Sequence, residues 1–130
     1  MKYSNIELAK LAGWTIELRN AGFVVVSPAD NTEAFNPKDK PASFDEAWAI
    51  ADRKFMIPRL SEDVNASLDA LSEDAMIQIV PMRREITKYR AMITSMKDGF
   101  QVVGYGYGET RAQALAQATG EYLTALKGEQ

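Results

Sequence analysis

The chain has 130 residues, 46% of them apolar, with 15 basic and 18 acidic side chains, a formal charge of −3, and neither cysteine nor histidine. Its length suggests one domain, and its apolar fraction a folded core rather than disorder. Without cysteine there are no disulfides, Cys–zinc sites or thiol nucleophiles; without histidine the commonest general base and metal ligand are gone.

Ser4 and Glu7 form a capping-box pattern, so a short helix is expected from Asn5, ending at Gly13. Two strand-like runs, "WTIEL" and "FVVVS", flank "RNAG" and predict a hairpin over Trp14–Ser27. Residues 28–42 contain three prolines and several turn formers and read as a long internal loop. Ser43 and Glu46 form a second capping box ahead of "FDEAWAIADRKF". Phe44, Ala47, Trp48, Ala51 and Phe55 recur on one face of that helix, and Trp14, Trp48 and Phe44 read as core.

Residues 61–75 are acidic, with Val64, Leu68 and Leu71 roughly at helical spacing, so a short exposed helix is expected. "MIQIV" then reads as a buried strand, with a helix as the alternative for so short a run, and Pro81 interrupts it. "KYRAMITSM" and "FQVVGYGY" flank Asp98-Gly99, a two-residue hairpin signal. Closing the turn there pairs Ile93 with Gly104, Met92 with Tyr105, Ala91 with Gly106 and Arg90 with Tyr107. One sheet face then holds Ala91, Ile93, Gly104 and Gly106, and the other Arg90, Met92, Thr94, Tyr105 and Tyr107. Thr110 and Gln113 start a last helix with the stripe Ala112, Leu115, Ala116, Thr119, Tyr122, Leu123 and Leu126.

The stretch "GYGYGET" departs from both phosphate-binding fingerprints. Its glycines are spaced G-x-G-x-G, no Lys-Ser/Thr pair follows, and Glu109 puts a negative charge where a phosphate would sit. Gly104 and Gly106 read instead as bare positions against which an alanine-faced helix can lie close. Tyr105 and Tyr107 are core if their face is covered and a stacking platform if it is open.

Charge divides mildly along the chain. Residues 1–81 carry 8 basic and 13 acidic groups, and residues 82–130 carry 7 and 5. This balance does not read as a nucleic-acid footprint. The best positive patch is Arg83, Arg84, Lys88 and Arg90, which reads as a solvated strand edge or as a site for a phosphate backbone or acidic partner. Asp69, Glu73 and Asp74 read as a solvated helix face, or as an acidic surface that occupies a partner's basic groove. Their spacing is not that of a calcium loop. No paired carboxylates form a proton donor–acceptor set, so no enzyme and no cofactor or metal are expected.

Helix, three strands, helix over residues 43–126 resembles the order of a double-stranded-RNA-binding domain. That family places lysines at the start of its last helix, where this chain has "ETRAQ", so nucleic-acid binding of that kind is disfavoured. A second resemblance rests on "ELAKLAGW", "FNPKDKPASFDEAWAI", "YRAMI" and "GYGETRAQALAQA", in that order. Together they resemble small phage and prophage proteins of the phage ABA-sandwich type over residues 7–126. The linker 56–81 is long for that family, which marks 61–75 as a candidate acidic insertion. The resemblance implies helices on both faces of a sheet and a phage gene context, and no activity.

The expectation is therefore an α+β fold in a single domain over 1–130, a mainly antiparallel sheet with helices on both faces (an α/β/α sandwich). The expected role is a non-catalytic phage or prophage accessory protein that binds a host or phage macromolecule. A nucleic-acid-binding domain and a small-ligand or nucleotide binder at Tyr105/Tyr107 are the alternatives. The N-terminus has no signal-peptide pattern and no apolar run approaches the ~20 residues of a membrane span, so the host bacterial cytoplasm is expected.

Overall fold

The computed structural model describes residues 2–83, 86–96 and 101–128. The fold is α+β, with antiparallel pairing throughout, as the sequence patterns predict. The strands form two three-stranded sheets rather than one, and the chain divides into two compact units.

The first unit is Asn5–Arg59. It comprises helix α1 (Asn5–Leu11), strands β1 (Thr15–Arg19), β2 (Gly22–Val26) and β3 (Thr32–Ala34), and helix α2 (Phe44–Arg53). Gly13 ends the first helix at φ 101°, where its lack of a Cβ removes the steric cost. The predicted hairpin forms, with Ile16 opposite Val25 and Leu18 opposite Phe23. β3 lies inside the expected loop and pairs with β2. All three of its residues are exposed, so no apolar alternation announces it and only its backbone joins the sheet.

α2 begins as predicted. The Ser43 hydroxyl accepts from the Glu46 N–H at 3.1 Å, and the Glu46 carboxylate accepts from the Ala42 N–H at 3.2 Å. Two N–H groups with no intrahelical partner are thereby satisfied. Ala47, Trp48 and Ala51 meet Ala9, Ile16, Val25 and Ile57 in the core of this unit. Phe44 is a correction to the expected core. It sits at the helix start, 48% exposed, with its ring edge-on to Phe23 at 5.0 Å.

Phe55 is a second correction. It lies past the helix end, 71% exposed, with φ 58°. Its N–H donates to the Asp52 carbonyl and the Met56 N–H to the Ala51 carbonyl, the paired bonds of a Schellman cap with phenylalanine in the usual glycine position. The Arg59 guanidinium stacks 4.1 Å from the ring centroid. Replacing Phe55 with glycine removes left-handed strain of about 1 kcal/mol and forfeits a cation–π contact of about 0.5 kcal/mol. Phe55→Gly should therefore raise the urea midpoint slightly at unchanged slope, whereas Phe55→Ala, which keeps the strain and loses the ring, should lower it.

The second unit runs from Leu60 onward and includes the N-terminal residues up to Ser4. It comprises α3 (Val64–Ala70), β4 (Ala75–Pro81), β5 (Tyr89–Ser95), β6 (Gln101–Gly108) and α4 (Arg111–Gly128), with sheet order β4-β5-β6. The four predicted pairs of β5 with β6 are all present, and a bulge shifts the register beyond Ile93. The Asp98-Gly99 turn lies outside the described residues.

α4 starts with the Thr110 hydroxyl accepting from the Gln113 N–H at 3.1 Å, while the Gln113 side-chain oxygen accepts from the Glu109 N–H at 3.1 Å. The helix lies against the glycines. A Cβ on Gly104 would overlap the Ala118 carbonyl, one on Gly106 the Ala114 carbonyl, and one on Gly108 would come within 2.7 Å of the Ala114 nitrogen. Ala114 and Ala118, one turn apart, form the helix surface at this contact, and both are fully buried.

The acidic stretch 61–75 is integrated into this unit. Asp63 caps α3 by accepting from the Asn65 N–H at 3.0 Å, and α3 packs on α4. Ser72 Oγ lies 3.0 Å from the hydroxyl of the buried Tyr122, and the Met96 N–H donates to the Asp74 carbonyl.

Candidate binding face

Strand alternation and cross-strand register divide the second sheet into two unlike faces. On the α4 side lie Ile77 and Ile79 from β4, Ala91 and Ile93 from β5, and the glycines of β6. On the other side, Val80, Arg90 and Tyr107 form one row and Gln78, Met92 and Tyr105 the next. Met76 and Thr94 continue it. Tyr105 is 48% exposed, Tyr107 44% and Met76 39%. Of the two readings that the sequence left for the tyrosines, core or platform, their exposure removes the first.

Sequence reasoning found the β5 and β6 members of this face and missed those of β4. Met76, Gln78 and Val80 come from a run too short to distinguish strand from helix, and no turn motif ties that run to β5. Their alternation with Ala75, Ile77 and Ile79 is the signal that was available.

Among the described strand residues of this face, Arg90 is the charged side chain. It is half-buried, its Nε is buried without a hydrogen-bond partner, and no carboxylate pairs with it among the described residues. Lys88 and Arg83 are exposed at the same end of the sheet, where the Met82 N–H donates to the Lys88 carbonyl at 2.7 Å and closes the β4–β5 connection. Arg84 lies outside the described residues. Arg111, at the start of α4, stacks over the Tyr89 ring with its guanidinium carbon 5.0 Å from the centroid.

At the β6 edge, Glu121 lines a shallow depression with Val103, Gly104 and Tyr105. Its carboxylate binds Lys2 Nζ at 2.7 Å, and that hydrogen bond and charge raise the Lys2 amine above its ordinary value. The carboxylate that shares this depression with Tyr105 thus has its own counter-ion.

The acidic candidates lie elsewhere. Asp69 is exposed on α3, and Glu73 and Asp74 are exposed in the turn into β4. That turn is at the Ser95 end of β5, a strand's length of roughly 20 Å from Lys88. Among the described residues no group of His, Cys, Asp or Glu side chains could hold a metal ion, and no helix is long and apolar enough to cross a membrane. No family model, curated protein or solved structure matches the chain.

Proposed function

We propose that this chain is a phage or prophage accessory protein that acts in the host cytoplasm by binding a macromolecule, and that its working surface is the exposed face of the second sheet. The observation that carries this reading is the exposure of two tyrosines on adjacent positions of a single sheet face, beside an arginine that has no carboxylate partner among the described residues. Aromatic and arginine side chains supply much of the energy at recognition surfaces because they bury large area at small entropic cost. A tyrosine needed only to fill a core would be covered, as Tyr122 is at 3% exposure. The phage context rests on the ordered motifs that resemble phage ABA-sandwich proteins. The non-catalytic reading rests on a sequence without histidine or cysteine and without a convergent acid–base pair.

Photocrosslinking tests this reading. With a photoreactive phenylalanine at position 105 or 107, cells expressing the protein should yield a discrete crosslinked species. The same residue at Leu18, an exposed apolar position in the first unit, should not. Equal crosslinking at all three positions, or none, would remove the basis for a specialised face.

A further inference from the structure

We infer that the exposed face binds single-stranded nucleic acid, with one base stacked on each of Tyr105 and Tyr107 and the phosphates running toward Arg90, Lys88 and Arg83. This rests on the reading of that face as the working surface.

Charge placement is the first argument. The chain as a whole is acidic, yet the described strand residues of this face include no carboxylate and one cation, Arg90, without a partner among the described residues, and the carboxylate that follows the β6 strand at that end is Glu109, exposed just past Gly108. The cations at one end of the sheet extend that field. Net charge governs the long-range potential, but the field at a surface a few ångströms away is set by the groups on it, because salt screens beyond about 8 Å. Asp69, Glu73 and Asp74 lie at the opposite end and Glu121 is paired with Lys2, so that Glu109 alone among these carboxylates stands at the end where Arg90, Lys88 and Arg83 supply three cations.

Geometry is the second argument, and it selects single strands. Side chains at i and i+2 of a strand stand about 6.6 Å apart, roughly twice the 3.4 Å rise between bases stacked in a duplex. Two bases can each cover one ring only if the strand is extended and its bases are unstacked. Base faces are free for aromatic stacking only where they are unpaired. A duplex would instead need a line of cations at phosphate spacing, which the start of α4 lacks with Arg111 turned onto Tyr89. Met92 and Val80 beside the rings add apolar surface without hydrogen-bonding groups, so discrimination between bases should be weak.

The test is fluorescence anisotropy with purified full-length protein and labelled oligo(dT), oligo(rU) and a duplex of equal length. At about 20 mM salt the single strands should bind saturably and more tightly than the duplex, and binding should weaken toward about 200 mM. Tyr105→Ala/Tyr107→Ala should lower affinity by about tenfold or more, since each stacked base contributes substantially to such complexes. Circular dichroism should show this variant folded, because both rings are exposed. Arg90→Gln should reduce the slope of log affinity against log salt by about one. No binding of single strands at low salt, equal binding of duplex, or an unaltered affinity in the double tyrosine variant would overturn the inference. If single strands fail while position 105 still crosslinks in cells to a protein or to a second copy of the chain, the nucleic-acid assignment is wrong and the binding face stands. If both experiments are blank, both readings fall.

Discussion

Replacing Gly106 with alanine should destabilise the second unit by roughly 3 kcal/mol and lower its thermal midpoint by about 10 °C or more. The added methyl would occupy the space of the Ala114 carbonyl and the Ala118 nitrogen, both backbone atoms of α4. Backbone cannot rotate away as a side chain does, so the helix must lift off the sheet. Lifting it loosens the packing of Leu115 and Ile93, both fully buried. Because the obstacle is main chain, truncating Ala114 to glycine in the same molecule should not rescue the defect. Gly128→Ala provides the control. Nothing lies within 4 Å of the Cβ added there, so its midpoint should move little. Thermal unfolding followed by circular dichroism at 222 nm measures all three.

In the first unit, Trp48→Ala should cost about 4 kcal/mol, the range for deleting a large aromatic side chain from a packed core. Trp48 is 8% exposed and shares its cluster with Ala9, Ile16, Val25, Ala47, Ala51 and Ile57. Four of these are alanine or valine, too small to close the cavity by a change of rotamer. The Lys10 ammonium, 5.0 Å from the ring centroid, loses its aromatic partner as well, a further term of about 0.5 kcal/mol. Trp48→Phe should recover most of the loss. Urea denaturation followed by far-ultraviolet circular dichroism gives the difference, with Trp14 remaining as a fluorescence reporter in both variants. A loss below about 1 kcal/mol in Trp48→Ala would mean that Trp48 is not the centre of that core.

Other features were readable because the physics behind them is local. Ser43 and Thr110 cap their helices as the spacing implies, since an N-cap hydroxyl needs only the next turn of its own helix. The pairing of Ala91 with Gly106 and Met92 with Tyr105 follows from strand alternation once the hairpin is recognised. Features that depend on distant chain were not readable. β3 joins its sheet through backbone alone, and Phe44 and Phe55 carry helical spacing yet lie at or past the helix ends, where one ring contact each, from Phe23 and Arg59, leaves them exposed.

The stretch from Gly104 to Ala118 shows where the division lies. From sequence alone, two bare glycines and two tyrosines alternate on a strand, so rings and glycines must point to opposite faces. That follows from the period of the strand and holds in any tertiary setting. Coverage of each face is a different matter. α4 returns onto the glycine side because its Ala114 and Ala118 backbone fits where no Cβ intervenes, and the tyrosine side is left exposed. Exposure is a property of what the rest of the chain places above a surface, and no pattern within the strand encodes it. Strand periodicity sorts rings and glycines onto two faces, and the packing of α4 on the glycines leaves the tyrosines to meet solvent.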